Sequence, residues 1–458
     1  MTSSQKNKYM VWYILGDYMK NSLKKMINYY NDMDKPLLYI SLLMFTFGLF
    51  NIVTASSSEA VIRYEQSLFY YFFRQLMMIL AGLFLSTFII KKDTKKYAIP
   101  ALFAFIGITF CVLYLFLYGT FHKGAQNWLT IGPITFQPSE FVKPIIIVCI
   151  SLIFDASNKK LRNKKLKHYD IIGIILVIGL FNSIIIFLEK DLGTMLILMF
   201  IFMVLFLSSP ILKQEKTKTI LFLIILAVCG LIVIKNQKGY ILSEEQMARF
   251  NFINPCKNYL DGGYQICNAY IAINNGGLFG LGIGKSQQKY SYIPEPHTDM
   301  VFAIIAEEQG LIRSSLILVA YAIILYRILN LSSKVASLRG KYITLGVASY
   351  IFAHIIINLG GLFGMLPLTG VPLPFLSYGG SFTMALILSL ALVQRVHIEY
   401  KREKIKIDIS EWLISFFLVK YSKGDKNANR KYRQKQTLTN DETIRRNKRT
   451  KQRRNNPF

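Results

Sequence analysis

Glu295, His297, Thr298 and Asp299 close the polar segment KSQQKYSYIPEPHTD (285–299), immediately before a strongly apolar run. A carboxylate at 299 stands where water meets a membrane helix. There it loses solvation, its pKa tends upward, and it becomes a better proton acceptor near neutral pH. The chemistry on offer is general-base catalysis on a substrate half in lipid and half in water. Thr298 or Asp299 equally suits a helix cap, accepting from free backbone N–H groups. His297 beside Asp299 is a poor metal signature, and no metal ligand set is assigned.

Other candidates surround this position. Charges inside membrane spans are costly and are usually functional or internally paired. Arg74 lies within an apolar run, Glu140 and Lys143 share one helix face at i,i+3, and Asp191 sits in a very short link between two runs. They form either a structural ion-pair network or a substrate pocket. Trp128, in KGAQNWLTIGPITFQPSEFVKP (123–144), suits an interfacial belt or a stacking wall for a lipid-linked sugar. Lys123, Arg249, Lys257, Lys285 and Lys289 are cations suited to a diphosphate if several converge, and otherwise are scattered solvated charge. PLTGVPLPFLSYGG (367–380) reads as a rigid, irregular wall.

These groups need a scaffold, and composition says which kind. The chain has 458 residues, 53% of them hydrophobic, with a mean hydropathy of +0.36. That excludes an ordinary soluble domain and predicts an all-α polytopic membrane protein. Ten spans are expected, near 37–55, 67–90, 98–119, 137–154, 170–188, 194–209, 217–235, 300–326, 342–366 and 381–397. The large loop, 236–298, then lies between spans seven and eight. With a cytoplasmic N-terminus, most of the 54 Lys and Arg residues fall on the inner side. The candidate site then faces outward from the bacterial plasma membrane. The first span reads as an uncleaved anchor.

The expected domains are a basic, aromatic cytoplasmic extension (1–36), the membrane domain (37–397) and a basic, largely disordered cytoplasmic tail (398–458). Despite the net charge of +28, anionic lipid rather than nucleic acid is the expected contact of that tail. No P-loop or dinucleotide fingerprint occurs. Cys256 and Cys267 share the large loop and are candidates for a disulfide.

Four segments, GAQNWLTIGPITFQPSEFVKP (124–144), EKDLGT (189–194), 264–312 and NLGGLFGMLPLTGVPLPFLSYGGS (358–381), resemble in order those of the SEDS family of FtsW, RodA and SpoVE. The resemblance implies a ten-span peptidoglycan glycosyltransferase. Such an enzyme polymerises lipid II, a disaccharide-pentapeptide on undecaprenyl diphosphate, into β-1,4-linked glycan. By the same resemblance Asp299 is the essential aspartate. Arg74, Trp128, Glu140, Lys143, Lys123, Asp191 and Arg249 match further family positions, and His297 lies in the same motif as Asp299. A class B penicillin-binding protein and other divisome or elongasome membrane proteins are the implied partners. No cofactor is implied with certainty, and a divalent cation such as Mg or Mn has no dedicated site in the sequence. QQKYSYIPEPHTD favours the FtsW-like, division branch over elongation or sporulation. Lys190 stands where the family commonly has proline, Arg313 where a small residue is usual, and Phe382 where serine is common. The alternatives are a lipid II flippase and a noncatalytic scaffold for cell-wall enzymes.

Overall fold

The computed structural model describes residues 27–119, 127–131, 134–163, 167–236, 252–259, 263–290 and 292–422. Each expected span falls on a helix: α1 (Lys35–Ser58), α2 (Tyr70–Lys91), α3 (Ala98–Tyr118), α4 (Pro138–Arg162), α5 (His168–Leu188), α6 (Leu192–Ser208), α7 (Lys213–Asn236), α9 (Val301–Lys334), α10 (Leu338–Leu362) and α11 (Gly380–Ser422). Seven of these are long and apolar enough to cross a membrane by length and composition, and α6 is a shorter apolar helix. The remaining two, α4 and α7, carry charged residues in their first turns. A further helix, α8 (Tyr264–Gly276), lies in the large loop, and a two-stranded antiparallel ribbon pairs β1 (Leu129–Ile131) with β2 (Ile134–Phe136). The fold is otherwise all-helical among the described residues.

Local chemistry sets several helix starts. The Asp34 side chain accepts from Leu37 N–H at 3.1 Å, Ser337 caps α10 through Gly340 N–H, and Asp191 caps α6 through Thr194 N–H. Pro138 opens α4, where its missing N–H costs nothing.

The chain divides into two compact units, Met1–Glu399 and Tyr400–Phe458. In the first, α10 packs against α4, α6 and α9, so it forms the centre of the bundle. One end of the bundle is held by arginines: Arg327 with Asp34, Arg339 with Asp155, and Arg395 with Asp93 and Glu399. The other end carries the candidate site. The described part of the second unit continues helix α11 to Ser422.

Helix α9 is broken. Gly310 has φ 79° and ψ 170°, so the element is two helices meeting end to end. Its first half, 301–310, is buried on every side, whereas Leu311, Ile312 and Arg313 are exposed. A break strands backbone groups that must find other partners. One loop supplies four of them. Leu281 N–H donates to Glu307 O at 3.0 Å and Gly282 N–H to Glu308 O at 2.9 Å. The carbonyls of Gly277 and Leu278 accept from the N–H groups of Leu311 and Ile312 at 2.9 and 3.3 Å. Gly280 and Gly276 allow the approach, since an added Cβ on either would meet helix backbone at 2.3 and 2.1 Å.

Candidate active site

Asp299 lies one residue before the cap of α9. The cap position itself is Met300. Asp299 is half-buried. Its Oδ1 lies 3.1 Å from Thr298 Oγ1, whose one hydroxyl proton is shared between that oxygen and Glu295 O at 2.8 Å. Gly370 faces its Oδ2, where an added Cβ would reach 3.9 Å.

The backbone at 299 is fixed from α10. One amide, Asn358 Nδ2, donates to Asp299 O and to Val371 O, both at 2.8 Å. Asn358 therefore ties the loop that carries Asp299 to the proline-rich link between α10 and α11. One turn earlier, His354 Nδ1–H donates to Pro372 O at 3.1 Å. That leaves Nε2 as an acceptor for Lys143 Nζ at 3.2 Å. Lys143 also donates to Glu140 Oε1 at 2.8 Å. Lys143 is 0% and Glu140 2% exposed, so the pair is buried within the bundle. It reaches the site through His354 and the link.

The link is braced further. Tyr321 Oη–H donates to Pro374 O, Ser377 Oγ accepts from Leu373 N–H, and Phe375 O sits where a Cβ on Gly48 of α1 would collide. Tyr378 N–H donates to His297 O at 2.8 Å. The His297 ring is buried, with Nδ1 3.3 Å from Glu59 Oε2 and its face against Tyr71 at 4.3 Å between centroids. It packs rather than opens to a ligand. Arg74 on α2 is half-buried, with its guanidinium 4.7 Å from the Tyr70 ring and hydrogen-bonded to Tyr378. Burial raises the Tyr378 phenol above its ordinary pKa, and the Arg74 charge opposes that.

Asp191 is wholly engaged at its oxygens. Oδ1 caps α6, while Oδ2 accepts from Asn127 Nδ2 at 2.7 Å and Gln137 Nε2 at 3.0 Å. It thereby docks the segment around half-buried Trp128 against the α5–α6 turn. Next to it Glu189 is buried, and its pKa is pushed up to about 8 by loss of solvation and then by the Asp191 charge. Between them Lys190 has φ 64°. Proline is fixed near −65° and cannot take that conformation, so the substitution at this position goes with a different turn.

In the large loop Cys256 and Cys267 are bonded. Glu308 pairs with Lys289 at 3.0 Å, both 1% exposed, and Glu307 accepts from Ser286 Oγ and the N–H groups of Gln287 and Gln288. Arg313 is exposed and does not take the place of Lys289 as the partner of Glu308. Phe382 stacks on His354 at 4.6 Å. Lys123 and Arg249 lie outside the described residues. Lys257 and Lys285 are exposed.

A family model described as a cell cycle protein, FtsW/RodA/SpoVE, matches residues 34–402. The chain belongs to the FtsW/RodA/SpoVE family. It is 31% identical over 402 residues to the probable peptidoglycan glycosyltransferase FtsW of Bacillus subtilis (strain 168), covering 84% of this chain and 95% of that protein. It is 30% identical over 369 residues to stage V sporulation protein E of the same organism, covering 79% and 96%. Among solved structures, a chain of a peptidoglycan synthase complex superposes with a TM-score of 0.63 at 20% identity, covering 80% of this chain and 98% of that chain. Thermus thermophilus rod shape determining protein RodA gives 0.55 at 21%, covering 80% and 96%. At such identities the structural likeness is one of fold. The resemblance read from the motifs thus holds, and the FtsW/RodA/SpoVE chain is a multi-pass membrane protein. Sequence reasoning missed Asn358, His354, Asn127, Gln137, Glu189 and Glu59 in this family member. The signal for two of them was a His and an Asn four residues apart on a predicted span, one face of one helix.

Proposed function

We propose that this protein is a peptidoglycan glycosyltransferase that polymerises lipid II at the outer face of the bacterial plasma membrane, with Asp299 as general base. The observation that carries the reading is the state of Asp299. It is half-buried, stands at the start of α9 beside Gly370, and is set on backbone that Asn358 holds. The curated relatives named as probable peptidoglycan glycosyltransferases support the reaction class.

The acceptor GlcNAc 4-hydroxyl gives its proton to Asp299 as its oxygen attacks C1 of the donor MurNAc. The C1–O bond to diphosphate breaks, and undecaprenyl diphosphate leaves with the bonding pair. One displacement inverts α to β, so no sugar–enzyme intermediate forms. Cations offset the charge of the leaving diphosphate, with Lys123, Arg249 and Arg74 assigned to that work. Trp128, docked by Asn127 and Asp191, supplies a stacking face for sugar.

Ten spans and cytoplasmic termini follow from the distribution of Lys and Arg. The Cys256–Cys267 bond agrees with an outward position for the large loop, because disulfides persist in oxidising compartments. A class B penicillin-binding protein is the proposed partner, and the FtsW-like motif style points to the division machinery.

The test uses purified protein, its penicillin-binding partner and lipid II. Asp299→Asn should cut glycan formation by ~10²–10⁴-fold, the usual size of a general-base contribution. Normal polymerisation by a folded Asp299→Asn protein would sink the assignment. The rival reading is a lipid II flippase. Lipid II crossing sealed vesicles without polymerising would establish that rival.

A further inference from the structure

The loop that repairs the break in α9 carries a second message. Residues 276–284 read GGLFGLGIG and contain no charge. The side chains of Leu278, Phe279, Leu281 and Ile283 are all exposed, Phe279 at 75%. Beside them Leu311 and Ile312 are exposed too, and the same surface runs on down α9 through Leu316, Val319 and Ile323. This apolar patch is therefore continuous with the lipid-facing side of a membrane span.

We propose that the 277–283 tip is inserted into the bilayer surface, with its side chains in the hydrocarbon edge and Lys285 and Arg313 at the level of the lipid phosphates. Three features carry this. Non-helical backbone at membrane depth is tolerated where protein satisfies its polar groups, and four bonds to α9 engage the carbonyls of Gly277 and Leu278 and the N–H groups of Leu281 and Gly282. The half of α9 beyond the break, 311–334, rises about 36 Å and by itself spans a hydrocarbon core of about 30 Å. The break and its tip thus fall at the boundary rather than at the midplane. Finally, Lys285 and Arg313 are long, exposed cations flanking the patch, able to bury their stems and hold their charges among phosphates.

The geometry gives the tip a purpose. The buried half-helix 301–309 connects it to Asp299 over about 13 Å. Glu307 and Glu308 accept from the tip through their carbonyls, and through their carboxylates hold the 286–289 turn. An inserted tip therefore fixes the height of Asp299 relative to the headgroups, whatever chemistry Asp299 performs.

The experiment places tryptophan at Phe279 in the full-length protein, reconstituted in vesicles of phosphatidylcholine or its chain-brominated form. Leu316→Trp calibrates the lipid face and Tyr292→Trp the polar part of the loop. Emission from Trp12, Trp128 and Trp412 of the parent is subtracted. Ile283→Trp is a second probe of the tip should Phe279→Trp fold poorly. The tip probe is expected to behave like the Leu316 probe, losing most of its added emission to brominated chains and little to aqueous iodide. Quenching by iodide but not by bromine would place the loop in water and overturn the proposal. Protection from both would mean that protein covers the patch, and would overturn it equally.

Discussion

Lys143 is a buried charge tied to the proline-rich link through its neighbours. Its ammonium is shared between Glu140 and His354 in a closed interior, and His354 passes the constraint to Pro372. Lys143→Met leaves the Glu140 carboxylate buried without its cation, which should cost ~3–5 kcal/mol. Adding Glu140→Gln should recover most of that loss, and thermal unfolding in detergent reads both. The pair was legible in the sequence because charges inside an apolar run are conspicuous. Its inward role was not, because i,i+3 spacing gives a helix face but not what lies against it. Asp299 was legible from its place at a polarity boundary. The amide that holds it was not, since a neutral Asn in a span resembles many packing residues until its two acceptors are in view.

At the level of elements, the apolar runs marked the helices well, because a membrane span must be a long apolar stretch to exist at all. The break in α9 escaped for a physical reason. AIIAEEQGLIRSSL contains a single glycine, and a helix tolerates one glycine at modest cost. What ends the helix there is a set of bonds from a loop some thirty residues earlier in the chain. The ribbon at 129–136 escaped likewise, being too short for alternation to show. Gly310→Ala tests the break. An alanine would have to hold φ near 79°, and its Cβ would meet Gly280 N and Leu278 O at 2.4 Å. The expected outcome is a folded bundle whose 277–282 loop has left α9. Rapid hydrogen exchange at Leu281, Gly282, Leu311 and Ile312 would report it, and unchanged protection there would contradict it.

For the whole molecule, acidity is a lever on stability. Folded Glu189 keeps its proton up to about pH 8, whereas the unfolded chain releases it near the ordinary glutamate value. Between those limits the folded state binds more protons, so stability falls as pH rises through the window and levels off above about 8. Glu189→Gln should flatten that slope, measured as the unfolding midpoint against pH in detergent. A slope unchanged by the substitution would assign it to other groups. The arginine pairs hold one end of the bundle, and at the other the Lys143–Glu140 and Lys289–Glu308 pairs stand among amide and hydroxyl contacts. The proline-rich link at the second end has three carbonyls seized from within, at Val371, Pro372 and Pro374, by Asn358, His354 and Tyr321. A link held so from within is a casting with one relief, and on the function proposed above that relief is what a sugar would meet. An inhibitor shaped to that relief meets a fixed template, and escape by remoulding it would demand matched changes on α9 and α10 together.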